Sequence, residues 1–448
     1  MTKGRQDGRY LLVLGIAFFV LFGSALKITA THSMDDFKVV YNGSRCLLQR
    51  CDPYHEAEMR QFYVAQHMES LSEINSRKTY TLFCNLPATI LIIAPFAMLP
   101  WGLASVLWMI LTGAGMALAS YLMWDIGARH APMLSGGMTA LLLVNSSVVL
   151  GNGNSAGIVV ALCVIAVWCF FTERCVPAGI LCLAISLAIK PHDSGLIWLY
   201  LLLAGGIHRK RALQTLAVTA ALSLAAVVWV AHVAPNWMPE LRSNLAALSA
   251  HGENNDPGPD GLTTTSKSMN VMTSLQAAVS VVIDNPRIYD LTSYLICGAL
   301  LMVGLATTLQ SRGSPALNWY ALAAVASITL LATYHRVYDA KLLLLTVPAC
   351  AMLWAEGGLT GKIALIVNTA GLLFSGEIPM AFLVHHAINP HPGSSSLLTK
   401  VLTLPLTRPT PLVLLAMSIF YLWIYVRRAE QADCSEATRR ETPSPAAP

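Results

Sequence analysis

Residues 208–233 read HRKRALQTLAVTAALSLAAVVWVAHV. The cluster His208-Arg209-Lys210-Arg211 stands directly before a run whose positions 212 to 231 contain no Asp, Glu, Lys, Arg or His. About 20 apolar residues in a row cross the hydrocarbon of a bilayer as a helix, because a helix satisfies its own backbone hydrogen bonds where no water can. Lysine and arginine flanking such a run mark its cytoplasmic end. The stretch therefore names the solvent, lipid, and gives a direction, with residue 208 inside and residue 233 outside.

The same pattern recurs outward in both directions. Further apolar runs occupy roughly 10 to 30, 83 to 99, 101 to 124, 131 to 150, 155 to 172, 176 to 190, 194 to 206, 288 to 309, 315 to 333, 340 to 355, 361 to 383 and 408 to 426. They fill the 448 residues so thoroughly that no separate soluble domain fits. With 55% hydrophobic and 12% charged residues and a mean hydropathy of +0.57, a soluble chain of this length would aggregate. The formal net charge of +5 is small and gives no sign of a nucleic-acid partner. One membrane domain over residues 1–428 is expected, followed by a disordered cytoplasmic tail, 429–448, too poor in apolar residues to pack. Lys3, Arg5 and Arg9 before the first run also resemble the start of a cleavable signal peptide. No good small-x-small cleavage site precedes Lys27, and many spans follow, so an uncleaved first helix is expected.

Both termini carry arginine or lysine at their membrane flanks, which places both inside and demands an even number of crossings. The run that fails to cross is expected to be 83 to 99, short and broken by Pro87 and Pro95 with Pro100 at its end, each proline lacking a backbone donor. The fold class that follows is an all-α polytopic membrane protein with about 12 transmembrane helices and one re-entrant or interfacial segment. Arg129 with His130, Glu173 with Arg174, Arg312, Lys362, Arg427 and Arg428 then fall inside. Outside lie the loops 31–100, 235–286 and 384–407, with Gly151 to Asn154, Lys190 to Asp193 and Tyr334 to Asp339. Cys163, Cys169, Cys182, Cys297 and Cys350 sit inside apolar runs as small hydrophobes, whereas Cys46 and Cys51 share an outer loop, where an oxidising compartment would permit a disulfide.

The outer segments hold the residues that could do chemistry. Asp35 and Asp36 follow the first span directly and offer a general base for a hydroxyl; a solvated helix cap explains them equally. His55-Glu56 fails as a zinc motif because Met59 stands where the second histidine belongs. Asn152 and Asn154 in Gly151-Asn152-Gly153-Asn154 can bond a hydroxyl-rich ligand, or simply make a turn. Lys190 is placed to meet a phosphate near the headgroups, or to snorkel. Tyr334 to Asp339 packs two cation-capable groups, two phenols and a carboxylate into six residues, and Arg336 can grip phosphate with two parallel hydrogen bonds. The loop Pro235 to Pro286, with His251, Glu253, Asp256, Asp260 and Lys267, is long enough for a lid. Glu377 and His385-His386 could line the same cavity.

In this order, Asp36-Phe37 with Tyr41, Pro53-Tyr54, Pro87 with Pro95 and Pro100, Gly151 to Asn154, Lys190-Pro191 and Tyr334 to Asp339 resemble glycosyltransferase family 87. That family is a branch of the GT-C membrane glycosyltransferases and includes mycobacterial mannosyltransferases that use polyprenyl-phosphate mannose. The resemblance spans about residues 30 to 340. Two departures are Asn152, where the family often has Gln, and the single proline of Leu86-Pro87. The resemblance implies a GT-C-like hexosyltransferase, probed most simply as a mannosyltransferase, in the bacterial inner (plasma) membrane. It further implies a metal-independent, cofactor-free, inverting transfer from a polyprenyl-phosphate donor to a lipid or glycan acceptor at the extracytoplasmic face. The catalytic aspartate maps to Asp36, with Asp35 beside it; Lys190, Arg336 and His335 fall to the donor phosphate. Asn152, Asn154, Tyr41, Tyr54, Tyr338 and Asp339 fall to the sugar or acceptor. Two other classes stay open. A lipid or sugar transporter or flippase usually carries ionisable residues inside its spans, which runs such as 131–150 and 155–172 lack. A non-catalytic envelope-assembly protein would need none of the outer polar groups.

Overall fold

The computed structural model describes residues 3–30, 33–66, 78–259, 261, 272–311, 315–376 and 396–441. Arg312, Asp260, Lys267, Glu377, His385 and His386 lie outside the described residues. The first half runs α1 (Lys3–Thr29), α2 (Asp35–Leu48), α3 (Glu56–Ala65), α4 (Lys78–Thr81), α5 (Pro87–Ala97), α6 (Trp101–Gly127), α7 (Pro132–Val144), α8 (Ser147–Asn152) and α9 (Ala156–Thr172). It continues with α10 (Val176–Ile189), α11 (Pro191–Leu203), α12 (Gly206–Val233), α13 (Trp237–Leu248) and α14 (Gln276–Val282). The last part comprises α15 (Pro286–Gln310), α16 (Pro315–Ala332), a 3-10 helix Asp339–Leu345, α17 (Thr346–Glu356), α18 (Gly358–Phe374), α19 (Leu397–Thr407) and α20 (Pro409–Glu441). Helical backbone thus continues past Ala429, where the composition predicts an unpacked tail.

Five of these helices, α1, α6, α12, α15 and α20, are long and apolar enough to cross a membrane. Elsewhere helices break inside the apolar runs. The run 131 to 150 is interrupted at Asn145 and Ser146, between α7 and α8, and Lys341 Nζ donates to the Asn145 carbonyl at 3.3 Å. A buried lysine there satisfies an acceptor that lipid could not. The proline-broken run 83 to 99 yields only α5, with 11 residues. At about 1.5 Å per residue such a helix covers roughly half of a bilayer's hydrocarbon thickness.

Close contacts give the helices their directions. Gly136 lies against the Gly8 backbone, Gly15 against Ala140 and Gly151 against Leu26, so α7 and α8 run parallel to α1. A Cβ on Gly8 or Gly136 would drive into the other helix's backbone, and this is why small residues stand there. Between α10 and α11 the chain reverses. Thr219 donates to the Ala184 carbonyl and Ala188 packs with Ala226, so α10 runs parallel to α12. Trp198 Nε1 donates to the Ala212 carbonyl at 2.9 Å and Arg209 Nε to the Leu202 carbonyl at 3.1 Å, so α11 runs antiparallel to it. Lys190 is the tip of that hairpin, its backbone extended (φ −138°, ψ 83°) because Pro191 excludes the helical conformation in the residue before it.

The bundle therefore has two distinct ends. One gathers Arg5 with Asp125 and Arg129, Arg211 with Glu173, and Arg428 with Glu356. The other gathers α2, the turn 151–154, the Lys190 tip and the 334–339 loop. A disulfide joins Cys46 to Cys51 at this second end, with Cα atoms 4.9 Å apart.

Candidate active site at the second end of the bundle

The site starts from how α2 is seated. Met34, in a left-handed conformation (φ 59°), donates its N–H to the Gly151 carbonyl at 2.7 Å, which sets the first turn of α2 beside the 151–154 turn. Phe37 then stacks on Trp108 with ring centroids 4.8 Å apart, and Trp108 Nε1 donates to the Gly153 carbonyl at 2.9 Å. Gly153 itself has φ +65°, and a Cβ there would run into Phe37 and Met34. These constraints hold Asn154 so that its Nδ2 donates to Asp36 Oδ2 at 2.8 Å, while Asn154 Oδ1 accepts from the Ala156 N–H at 2.8 Å and fixes the amide's orientation.

The two neighbouring aspartates part company here. Successive residues on a helix point about 100° apart, and Asp35 Oδ1 accepts from the Tyr80 hydroxyl at 2.9 Å. Asp36 instead meets Asn154 on the side of Lys190 and Arg336. Burial pushes its pKa above the ordinary carboxylate value. The Asn154 hydrogen bond and the charges of Arg336 and Lys190 pull it back down, while Asp35 adds to the rise.

Opposite α2, Lys190 and the 334–339 loop interlock. Lys190 Nζ donates to Asp339 Oδ1 at 2.8 Å and lies 3.9 Å from Asp193 Oδ2. Asp339 Oδ2 accepts the Arg336 backbone N–H at 2.8 Å, closing the loop on itself. Burial alone would lower the lysine's pKa, but the two carboxylates outweigh it and hold the ammonium above its usual range. The Asp339 carboxyl is correspondingly held far below its own, against the effect of burial. Arg336 stacks over Tyr334 at 5.5 Å and donates through one terminal nitrogen to the Asn254 carbonyl and Asn255 Oδ1, at 3.1 and 3.2 Å. The Thr273 N–H donates to the His335 carbonyl at 3.0 Å. The loop after Pro235 thus reaches the site from two places.

Of the residues singled out in the sequence, Asp36, Asn154, Lys190, His335, Arg336, Tyr338 and Asp339 come together, and Asn152 Nδ2 donates to the Tyr338 hydroxyl at 3.1 Å. Asp339 bonds Lys190 and its own loop, so it positions the cation. Tyr41 and Tyr54, expected at the sugar or acceptor, are placed by the structure in the packing around α5. Tyr41 is fully buried and donates to the Leu99 carbonyl at 2.7 Å; Tyr54 packs edge-on to Phe83 and donates to the Asn85 carbonyl at 2.9 Å. Each phenol donates its one proton to a backbone carbonyl there, and the Tyr41 hydroxyl also accepts from Arg45. Asp193, Asn254 and Asn255 were absent from the expected site. Asp193 was legible as a carboxylate in the first turn of α11, one helical turn after Lys190; the two asparagines carried no signal.

The site also brings His192, Asp193 and His335 together, with one donor atom of each within 4.8 Å of the others, the one such metal-ligand group among the described residues.

Comparison with known proteins adds one match. The glycosyltransferase family 87 model matches residues 83–333, which include Asn152, Asn154, Lys190 and Asp193 and leave Asp36, His335 and Arg336 outside. No curated protein and no solved structure matches the chain. The matched segment covers more than half of the chain, its helices have the apolar character of a membrane protein, and the chain belongs to glycosyltransferase family 87.

Proposed function

We propose that this membrane glycosyltransferase moves a hexose, mannose in the first instance, from a polyprenyl-phosphate donor to a lipid or glycan acceptor, with inversion, at the extracytoplasmic face of a bacterial plasma membrane. The observation that carries the proposal is the pairing of an oriented carboxylate with cations: Asp36 is held by Asn154 at 2.8 Å, within the field of Lys190 and Arg336.

In the proposed step the acceptor hydroxyl oxygen attacks the anomeric carbon, and its proton passes to Asp36 as the bond forms. The bond from the anomeric carbon to the phosphate oxygen breaks on the opposite side, and polyprenyl phosphate leaves with the electron pair. A single displacement of this kind inverts the anomeric centre. Lys190 and Arg336 lower the barrier by stabilising charge that grows on the departing phosphate, the larger electrostatic contribution. Asn152, Asn154 and Tyr338 supply neutral donors and acceptors for sugar hydroxyls.

Two features support the extracytoplasmic side. The Cys46–Cys51 disulfide lies at the same end of the chain's fold as Asp36, and disulfides persist in oxidising compartments. The arginines paired with Asp125, Glu173 and Glu356 lie at the other end, as the preference for positive charge in the cytoplasm requires.

The test is to supply purified protein in nanodiscs with radiolabelled polyprenyl-phosphate mannose and membrane lipid extract. A labelled glycolipid whose anomeric configuration is opposite to the donor's is the expected product. The same protein in sealed proteoliposomes carrying label across the bilayer with no new glycosidic bond would replace the transferase proposal with transport.

A further inference from the structure

We propose that Asp256, a buried carboxylate in the loop between α13 and α14, is the positioning residue that aims Arg336 at the donor phosphate. Its own surroundings are the first reason. Asp256 is 2% exposed, and donors converge on both of its oxygens. The Gly252 N–H donates to Oδ2 and the Gly258 N–H to Oδ1, each at 2.8 Å. The Tyr289 hydroxyl donates to Oδ1 at 3.4 Å, and His251 Nδ1 lies 3.3 Å from Oδ2. An amide in this place would offer only one oxygen, whereas a carboxylate accepts at both. One side chain thereby gathers residues 251 to 258 into a closed turn.

The turn is fixed to the bundle by three helices. The Asn255 N–H donates to the Leu248 carbonyl at the end of α13 at 2.9 Å, Ser280 Oγ of α14 donates to the Pro257 carbonyl at 2.9 Å, and Tyr289 belongs to α15. The two glycines that feed the carboxylate are required by shape. Gly252 has φ +80°, which a side chain disfavours, and a Cβ on Gly258 would come within 2.9 Å of Asp256 Oδ1.

The second reason lies at the other face of the same turn. Among the described residues, the Asn254 carbonyl and Asn255 Oδ1 are the only hydrogen-bond acceptors that the Arg336 guanidinium meets, and its Nε is buried without one. Residues 254 and 255 directly precede Asp256, so whatever closes the turn also sets where this long side chain points. The remaining nitrogens of the planar fork are left for phosphate oxygens. A cation held in place before the substrate arrives needs no reorganisation as charge grows on the leaving group. Asp256 acts through Arg336 and touches neither substrate. For what Arg336 does, the inference rests on the transferase proposal; for how Arg336 is held, it does not.

The test is a double-mutant cycle of Asp256→Asn and Arg336→Gln, read in two ways on full-length protein in nanodiscs at equal abundance. In thermal unfolding without substrate, each single variant should lower the midpoint, and the double variant should fall by clearly less than the sum, because no grip on Arg336 is left to loosen. The second reading is transfer from labelled polyprenyl-phosphate mannose. Misplacing a group by about 1 Å can cost about a hundredfold, so Asp256→Asn should lower kcat by about ten- to a hundredfold alone and by less than about twofold beside Arg336→Gln. A loss caused only by unfolded protein would be the same factor in both backgrounds. Additive midpoint shifts, or an equal rate factor in both backgrounds, overturn the positioning role. If the unaltered chain transfers nothing, the transferase proposal falls, and the midpoints alone still decide whether Asp256 holds Arg336.

Discussion

Asp35 and Asp36 differ in what they touch, and that difference makes separate predictions at the scale of one residue. The Asn154 amide stabilises the ionised form of Asp36 and so lowers its pKa; removing the amide lets burial raise the pKa further. A hydrogen bond to a charged group contributes about 1.5 kcal/mol or more, which corresponds to about one pH unit. In Asn154→Ala the acid limb of kcat/KM should therefore move up by about one pH unit, since the base must be unprotonated to act. A limb left in place would mean that Asp36 does not titrate in the transfer step. The pairing itself was not legible in the sequence, because residues 36 and 154 are brought together by the seating of α2, with Phe37 stacked on Trp108. Tyr41 and Tyr54 illustrate the converse. An aromatic hydroxyl in a polar loop suggests sugar binding, while its acceptor in the fold, the Leu99 or Asn85 carbonyl, could not be read from the sequence.

At the scale of elements, the apolar runs and the prolines were enough to locate most helices, since lipid leaves the backbone few alternatives. The interruptions were harder to read. Nothing local in Asn145-Ser146 announces a break; Lys341, almost 200 residues later, supplies the partner that makes it affordable. The reversal at Lys190-Pro191 was legible, because burying Lys190, His192 and Asp193 in mid-bilayer costs about 2.5 to 3.5 kcal/mol for each full charge. The contact of α1 with α7 makes a further prediction. Gly136→Val places side-chain atoms against the Gly8 backbone, and overpacking of this kind destabilises by about 1 to 3 kcal/mol or more. Its thermal unfolding midpoint in detergent should fall by several degrees, whereas Gly137→Val, with open space around its Cβ position, should leave the midpoint nearly unchanged. Equal effects would contradict the described packing.

Over the whole molecule, the separation of the two ends matters more than any single contact. Family membership rests on residues 83–333, so the case for Asp36, His335 and Arg336 is geometric and depends on both flanking segments reaching the same end as Asn154 and Lys190. Single cysteines at Asn152 and His208, in a background whose other free cysteines are replaced by Ser or Ala, should react with a membrane-impermeant maleimide from opposite sides of sealed vesicles. Labelling of both from one side would dismantle the orientation. The central claim is that Asp36, and not its neighbour, is the base that activates the acceptor. It is tested most directly by measuring transfer from labelled polyprenyl-phosphate mannose by Asp36→Asn and Asp35→Asn proteins of equal abundance and unfolding midpoint. A positioned base contributes about 10²- to 10⁴-fold, so Asp36→Asn should lose at least about a hundredfold in rate while Asp35→Asn stays within about tenfold of the unaltered chain; near-normal turnover by Asp36→Asn would contradict it.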